Sequence, residues 1–322
     1  MTGQQQPPLA VARQRLADAL ADTPLRVAVH GLPGVGTSTV AAALTALGRF
    51  EVLGAGVCDS GPRRPDVTVR VVAEVPRPED RQAAVDAAGP VLMVLTKADT
   101  CALGPGGPVA TARRRCAEWT VPAEPLVGLL AVAALDAGVL DAPLLDAVRV
   151  LAVQPADLRT AETFVGGPHQ LPAPVRLRLV DALDVFGIAH AVIAVRQHRD
   201  VHAALREASG VDAVAGRIAA LGAEARYRRL TGVVAELSAG AVGDAALAEL
   251  LTTDEVLLGR MAAGSRVLRA AGVQIGPATG AEEHLREALR WRRYGDGPVT
   301  LLHRACAADV SRGSLRLWGA IR

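Results

Sequence analysis

The sequence has little lysine and few aromatic residues. Lys97 is the only lysine among 35 Lys and Arg residues, and these nearly balance 33 acidic residues. Binding to DNA or RNA by counterion release needs a basic surface, so this balance argues against a nucleic-acid-binding protein. Only eight of the 322 residues are Phe, Trp or Tyr, which also argues against a surface on which bases stack. We therefore expect no nucleic-acid partner.

Cysteine motifs and long apolar runs are also missing. The four cysteines are Cys58, Cys101, Cys116 and Cys306. They have no CxxC spacing and no nearby histidine pair, which predicts buried thiols rather than a zinc site or a disulfide framework. The most apolar run, Leu126–Leu140, contains Asp136 and is shorter than the roughly 20 residues of a membrane-spanning helix. The polar segment Met1–Pro8 has no signal-peptide pattern, so we expect a cytoplasmic protein.

The pattern of apolar residues divides the chain into three parts. Helical periodicity over Leu9–Ala21 predicts an N-terminal helix within residues 1–24. Strand and helix patterns alternate through residues 25–142, which predicts a mainly parallel α/β sheet. The predicted strands are Leu25–His30, Phe50–Val57, Val67–Val75, Val91–Leu95 and Leu126–Ala133. Residues 143–322 carry Ala/Leu/Arg helical periods that predict a helical bundle domain.

The candidate helices of the C-terminal part are separated by Gly and Pro breaks. They are Pro143–Val153, Pro174–Arg196, Val201–Ala208, Val211–Ser238, Asp244–Ala271 and Ala281–Arg293. Small apolar side chains dominate the sequence, and they suit close-packed helices because alanine favours helix over strand.

A glycine-rich segment connects the first predicted strand to the next helix. Gly31-x4-Gly36-Thr37-Ser38 matches the P-loop pattern except that Thr37 replaces the lysine. In a P-loop, backbone amides and the helix N-terminus face phosphate oxygens, and the Ser hydroxyl contacts Mg²⁺. The predicted phosphate-binding residues are Gly31, Gly34, Gly36, Thr37, Ser38 and Thr39. The alternative is a tight glycine turn without a ligand.

A second motif follows the apolar strand Val91–Leu95. Thr96-Lys97-Ala98-Asp99 resembles the guanine-specificity motif of GTPases, [NT]-K-x-D, and it contains the sole lysine of the chain. In that motif the Asp carboxylate accepts two donors of the guanine edge, and the Lys stem covers the base. A weaker signal, Ala131–Leu135, stands where GTPases have a further guanine-binding loop. The predicted guanine-binding residues are Thr96, Lys97, Asp99 and Ala133. The alternative for Thr96–Asp99 is an ordinary polar exit from a strand.

The switch elements of a complete GTPase have no clear counterpart. The interval between Thr39 and Val67 is short, and its nearest match to D-x-x-G is Asp59-Ser60-Gly61-Pro62. Ser38 and Asp59 are therefore the predicted Mg²⁺ residues, with Asp66 as a competitor for Asp59. An Asp in such a Pro/Gly segment also fits a simple turn.

Together these features resemble the dynamin-like GTPases of actinobacteria, a branch that includes the isoniazid-inducible membrane-remodelling proteins of mycobacteria. The segments that carry the resemblance are Gly31–Thr39, Val91–Asp99, the region near Ala133, Phe186–Ile188, Leu205–Asp212, Arg260–Met261, Ala288–Arg292 and Arg312–Trp318. It implies a P-loop G-domain-like core flanked by a helical bundle into which the N-terminal helix packs. It also implies GTP or GDP with Mg²⁺ as ligand.

The same resemblance implies a paralogous dynamin-like GTPase as partner, and a peripheral position at a membrane through that partner. Three departures bear on the role: the lost loop lysine, the short switch region, and the missing hydrophobic paddle or membrane hairpin. Loss of the lysine removes a positive charge where charge develops in the transition state.

Three hypotheses follow for the role of the chain. The first is a pseudo-GTPase, a regulatory or scaffolding subunit of an intact dynamin-like GTPase, which binds guanine nucleotide weakly or not at all. The second is an active, atypical GTPase that uses an arginine supplied by a partner. The third is a protein-interaction module without a ligand.

Overall fold

The chain forms two compact units. A computed structural model describes residues 9–21, 23–53, 64–87 and 89–321. One unit is Leu25–Ile218, and the other joins the N-terminal helix α1 (Leu9–Leu20) to the described residues from Ala219 onward. The division thus falls after Ile218, whereas the change in composition placed a domain boundary between residues 142 and 143.

The first unit is built on a sheet of five parallel strands. They are β1 (Leu25–Gly31), β2 (Phe50–Leu53), β3 (Val67–Ala73), β4 (Val91–Thr96) and β5 (Ala123–Pro125). Their order is β2-β1-β3-β4-β5, and every neighbouring pair is parallel. All residues of β4 are buried, as expected for a central strand covered on both faces. The predicted fold class, a parallel α/β domain followed by a largely helical region, is confirmed.

Eight α-helices lie wholly within the first unit in the described part of the chain. They are α2 (Thr37–Ala46), α3 (Pro78–Asp86), α4 (Gly107–Ala117), α5 (Gly128–Leu135), α6 (Ala142–Val153), α7 (Ala161–Gly166), α8 (Ala173–Arg196) and α9 (Val201–Ser209). Leu95 of β4 shares one buried cluster with Leu144 of α6, Phe164 of α7 and Leu183 of α8. Helices α6, α7, α8 and α9 therefore belong to the sheet unit, because they help to complete its core.

The expected strand over Leu126–Ala133 is wrong. The strand in this region is β5, and the apolar run after it forms α5. A short, continuous apolar run has no periodicity that separates a buried strand from a buried helix. Three alanines lie in α5, and alanine favours helix.

The second unit is helical. Its remaining helices are α10 (Val211–Gly240), which begins in the first unit, α11 (Ala245–Leu251), α12 (Asp254–Ala270), α13 (Ala281–Asp296) and α14 (Leu301–Ile321). The single helix expected over Asp244–Ala271 is thus two helices, α11 and α12. Ala12 and Leu16 of α1 share the core of this unit with Trp291 and Val310.

A buried carboxylate connects three helices of the second unit. Asp309 of α14 accepts a hydrogen bond from the hydroxyl of Tyr227 on α10 at 2.8 Å. It also pairs with Arg260 of α12 at 2.7 Å and with Arg312 at 3.0 Å. Burial raises the pKa of Tyr227, and the negative charge of Asp309 raises this pKa further. The phenol therefore stays protonated and donates to the carboxylate.

Three negative findings concern the part of the chain that the structure describes. Cys101, Cys116 and Cys306 are free thiols, and burial raises the pKa of Cys116 and of Cys306 to about 12. Cys58 lies outside the described residues. No described cluster of three or more His, Cys, Asp or Glu side chains is arranged to hold a metal ion. None of the described helices combines the length and apolar character needed to cross a membrane.

Candidate functional site

Both sequence motifs lie at the carboxyl edge of the sheet. β1 ends at Gly31, where the glycine-rich loop begins, and β4 ends at Thr96, which Lys97 follows. In a doubly wound sheet of order 2-1-3-4-5, ligands bind at this edge, next to the switch point between the first and third strands. The topology therefore brings the two motifs to the edge at which such folds bind ligands.

One side chain joins the two motifs directly. The hydroxyl of Thr96 donates a hydrogen bond to the carbonyl oxygen of Val35, at 2.6 Å, and lies 3.1 Å from the carbonyl oxygen of Val72. Thr96 is only 4% exposed, so the donor end of this bond is largely shielded from water. Since Val35 belongs to the glycine-rich loop, Thr96 holds that loop against the end of the sheet.

The loop conformation requires glycine at three positions. Gly34 and Gly36 have φ values of 82° and 91°, a region that residues with a Cβ rarely adopt. A Cβ on Gly31 would lie 2.4 Å from Thr37 Oγ1 and 3.0 Å from the carbonyl oxygen of Val71. These glycines border an open cavity of about 630 Å³ beside the loop, which we call the loop cavity.

Thr37 stands where a P-loop has its lysine. Its Oγ1 is buried against Gly31 and has no hydrogen-bond partner among the described residues. Ser38 follows at the exposed start of α2 and also lines the loop cavity. The described residues that line this cavity include no charged side chain. The described part of the loop therefore offers an anion backbone amides, a helix N-terminus and the hydroxyl of Ser38, without a cation.

A second cavity, of about 390 Å³, lies at the Thr96–Asp99 motif, and we call it the motif cavity. Its lining residues are Gly36, Thr39, Thr96, Lys97, Asp99, Thr100, Val127, Gly128, Leu129, Leu183 and Asp184. Gly36 lines both cavities, so the two spaces adjoin at the glycine-rich loop. The arrangement therefore gives a ligand room at the motif and at the loop together.

The motif turns sharply after the strand. Lys97 has a left-handed backbone with φ of 52°, and Ala98–Thr100 form one turn of 3₁₀ helix. Burial raises the pKa of Asp99, and the charge of Asp184 raises it further, whereas a backbone hydrogen bond and Lys97 lower it. When it is ionised, the Asp99 carboxylate is an acceptor of two or more N–H donors in a partly dry cavity.

Other predicted residues lie elsewhere. Ala133 is fully buried inside α5 and does not line the motif cavity, where Val127–Leu129 at the start of that helix lie instead. Asp59 is outside the described residues. Asp66 accepts a hydrogen bond from the backbone N–H of Arg26 at 2.9 Å, near the amino ends of β1 and β3. Because Asp66 lies away from the glycine-rich loop, we interpret it as a structural residue and not as a Mg²⁺ ligand.

Asp184 is a lining residue that the sequence did not reveal. It lies inside α8 with φ of 56° and ψ of 172°, a break in a segment whose sequence predicts one continuous helix, Pro174–Arg196. Neither Gly nor Pro marks the position, and the nearest glycine is Gly187. The break results from tertiary packing and has no local sequence signal.

The two cavities fit the implied ligand only in part. The motif cavity offers the acceptor and the aliphatic stem that a guanine base needs. Among the described residues, the loop cavity offers a Mg²⁺-triphosphate neither a cation nor a carboxylate beside Ser38. Among the described residues, the two cavities therefore offer contacts to a purine base and lack the charged side chains that a Mg²⁺-bound triphosphate needs.

No protein-family model matches this chain, and neither a curated protein nor a solved structure matches it.

Proposed function

We propose that this chain is a pseudo-GTPase, a degenerate relative of the dynamin-like GTPases that recognises a guanine base and does not hydrolyse GTP. The observation that carries the proposal is the motif cavity, in which Lys97 and Asp99 lie beside Gly36 of the glycine-rich loop. Its volume of about 390 Å³ falls within the usual range of small-molecule sites.

The described lining of the loop cavity is uncharged, which supports the proposal that the chain does not hydrolyse GTP. Phosphoryl transfer is catalysed mainly by positive charge placed on the phosphate oxygens and by a positioned nucleophile. Thr37 supplies no charge, and its hydroxyl is turned toward Gly31. A nucleotide is therefore held through its base and by backbone dipoles at the loop, which favours weak binding without turnover.

The proposed role is that of a regulatory or scaffolding subunit. The resemblance to dynamin-like proteins supports an intact paralogous GTPase as the partner, with membrane association through that partner. The helical unit supplies surface for such contacts, since Leu301, Leu315 and Ile321 of α14 are large apolar side chains with substantial exposure. Exposed apolar side chains on one helix are a common component of protein interfaces.

Calorimetric titration of the purified chain with GTP, GDP and ATP tests the binding proposal. We expect weak binding of GTP and GDP, no binding of ATP, and no phosphate release on prolonged incubation with GTP and Mg²⁺. Asp99→Ala abolishes guanine-nucleotide binding, whereas Asp86→Ala, at an exposed carboxylate on α3, leaves it unchanged. Robust GTP turnover by the chain alone, or absence of any guanine-nucleotide binding, contradicts the proposal.

Co-purification with the paralogous GTPase that keeps its loop lysine tests the proposed role. We expect a complex whose GTP turnover differs from that of the paralogue alone. We expect Lys97→Ala and Asp99→Ala to reduce this change in the GTP turnover of the paralogue, because both substitutions alter the base site. A complex that is indifferent to both substitutions and to added nucleotide would favour a pure interaction module instead.

A further inference from the structure

The backbone of Asp184 is strained inside an otherwise regular helix. Its φ of 56° and ψ of 172° lie in a region that is essentially restricted to glycine. Such a conformation persists only where the surrounding structure enforces it, and strained residues of this kind concentrate at ligand sites. The strain at Asp184 therefore favours a functional role for this residue.

Packing on both sides holds the break in place. Leu183 is fully buried immediately before it. After it, Gly187 lies against α5 so closely that a Cβ would be 2.7 Å from Leu130 Cδ1. These contacts set α8 across the start of α5, where Gly128 and Leu129 line the motif cavity. Asp184 is thereby brought to the cavity that contains Lys97 and Asp99.

The two oxygens of the Asp184 carboxylate have different surroundings. Oδ1 accepts a hydrogen bond from the backbone N–H of Val185 at 2.5 Å, which caps the second half of α8. No donor within the described residues reaches Oδ2. Asp184 and Asp99 both line the motif cavity, and the negative charge of Asp184 raises the pKa of Asp99.

We propose that Asp184 is a specificity-determining residue of the base site, and that it accepts a hydrogen bond from the exocyclic amino group of guanine. The inference rests on the proposed function, since it assigns a second acceptor to the same site. An ionised carboxylate only accepts hydrogen bonds, and its bonds to N–H donors are strengthened by charge. The amino group has two N–H donors, of which one goes to Asp99 with the ring N–H, and the other goes to Asp184.

The preferred ligand class is therefore a 2-aminopurine, guanine above all, rather than any purine with a ring N–H. Hypoxanthine keeps the ring N–H and lacks the amino group, so it uses Asp99 alone. Adenine presents a ring acceptor where guanine presents a donor, and two carboxylates reject it. Selectivity between guanosine and inosine is the property that Asp184 controls.

Calorimetric titration of the full chain with guanosine and with inosine tests the assignment. Asp184→Asn keeps the capping oxygen and removes the charge. We expect it to weaken guanosine binding about tenfold, the scale of one charge-assisted hydrogen bond, and to leave inosine binding within about twofold. Asp181→Asn is the matched control, because Asp181 is exposed on the same helix and does not line the motif cavity.

A second variant removes the whole side chain. Asp184→Gly relieves the backbone strain but also deletes the oxygen that accepts from Val185, so Asp184→Asn, which keeps that oxygen, is compared with it. We expect the same selective loss of guanosine affinity in both variants, whatever the change in melting temperature. An equal loss for guanosine and inosine, or unchanged binding of both, overturns the assignment while leaving the proposed function in place if Asp99→Ala still abolishes binding. A wild-type chain that binds neither guanosine nor GDP overturns both proposals.

Discussion

The hydroxyl of Thr96 donates a 2.6 Å hydrogen bond to the carbonyl of Val35, a residue 61 positions earlier in the chain. Val35 lies between Gly34 and Gly36, whose left-handed backbones shape the loop cavity. Thr96 is the first residue of the motif that lines the other cavity. A single buried hydroxyl therefore fixes the position of the loop relative to Lys97 and Asp99.

Replacing Thr96 by valine tests how much this bond contributes. Thr96→Val keeps the shape of the side chain and leaves the partly buried carbonyl oxygen of Val35 without its donor. We expect the free energy of unfolding to fall by about 1–3 kcal/mol, measured by urea denaturation. Thr45→Val is the control, since that hydroxyl is exposed on α2 and its loss should change stability by less than about 0.5 kcal/mol. Equal effects of the two substitutions would contradict a special role for Thr96.

Restoring the loop lysine tests whether the glycine-rich loop contacts the phosphates of a bound nucleotide. Thr37→Lys places a positive charge beside a cavity whose described lining has none. A charge-assisted hydrogen bond contributes about 1.5–3 kcal/mol, so we expect GDP to bind about ten- to a hundredfold more tightly. Guanosine, which has no phosphate, should bind as before.

Calorimetric titration of both ligands measures this difference. Thr45→Lys adds the same charge on the exposed face of α2 and should change neither affinity by more than about twofold. A parallel gain for GDP and guanosine would show that the lysine acts on the whole fold rather than on phosphate.

The affinity for guanosine should depend on pH through Asp99. Burial and the charge of Asp184 raise the pKa of Asp99, and guanine needs the ionised carboxylate. Binding is therefore full above the raised pKa and is lost as the pH falls through it. Asp184→Asn removes one cause of the raised pKa, so the midpoint of the affinity profile should move to lower pH.

The raised pKa of Asp99 also predicts an effect on stability: ionisation of this carboxyl favours guanosine binding but disfavours the folded state. Because the folded-state pKa of Asp99 lies above the unfolded value, ionisation of Asp99 disfavours the folded state as the pH rises. Asp99→Asn should therefore stabilise the chain at neutral pH more than at acid pH, as measured by thermal melting. A stabilisation that is equal at both pH values would contradict the raised pKa.

The helical unit should be sensitive to its buried carboxylate. Asp309→Ala leaves Arg260 without its partner in a mostly buried setting, and we expect a loss of about 3–5 kcal/mol in the free energy of unfolding. Asp254→Ala breaks the exposed ion pair with Arg316 and should cost about 0–1 kcal/mol. Chemical denaturation followed by tryptophan fluorescence, to which Trp291 in the core of this unit contributes, distinguishes the two outcomes.

Local patterns in the sequence accounted for much of the fold. The glycine spacing after Leu25–His30 predicted the loop between β1 and α2, and the apolar run Val91–Leu95 predicted β4 with the motif at its end. These predictions succeed because turns with left-handed glycines and buried parallel strands depend on residues close together in the chain. The strand predicted over Leu126–Ala133 was wrong because a short, continuous apolar run fits both a strand and a helix, and no local signal decides between them.

Most strands and helices follow from local patterns in the sequence, and so does the placement of both motifs after parallel strands, which brings them to one edge of the sheet. The hydrogen bond from Thr96 to the loop, the orientation of the Thr37 hydroxyl toward Gly31 and the break of α8 at Asp184 are visible only in the folded chain. The bond from Thr96 joins segments 61 residues apart, and the break of α8 lies close to the contact of Gly187 with Leu130 of another helix. Spacing along the chain carries no record of such contacts, because side-chain packing in the folded core determines them.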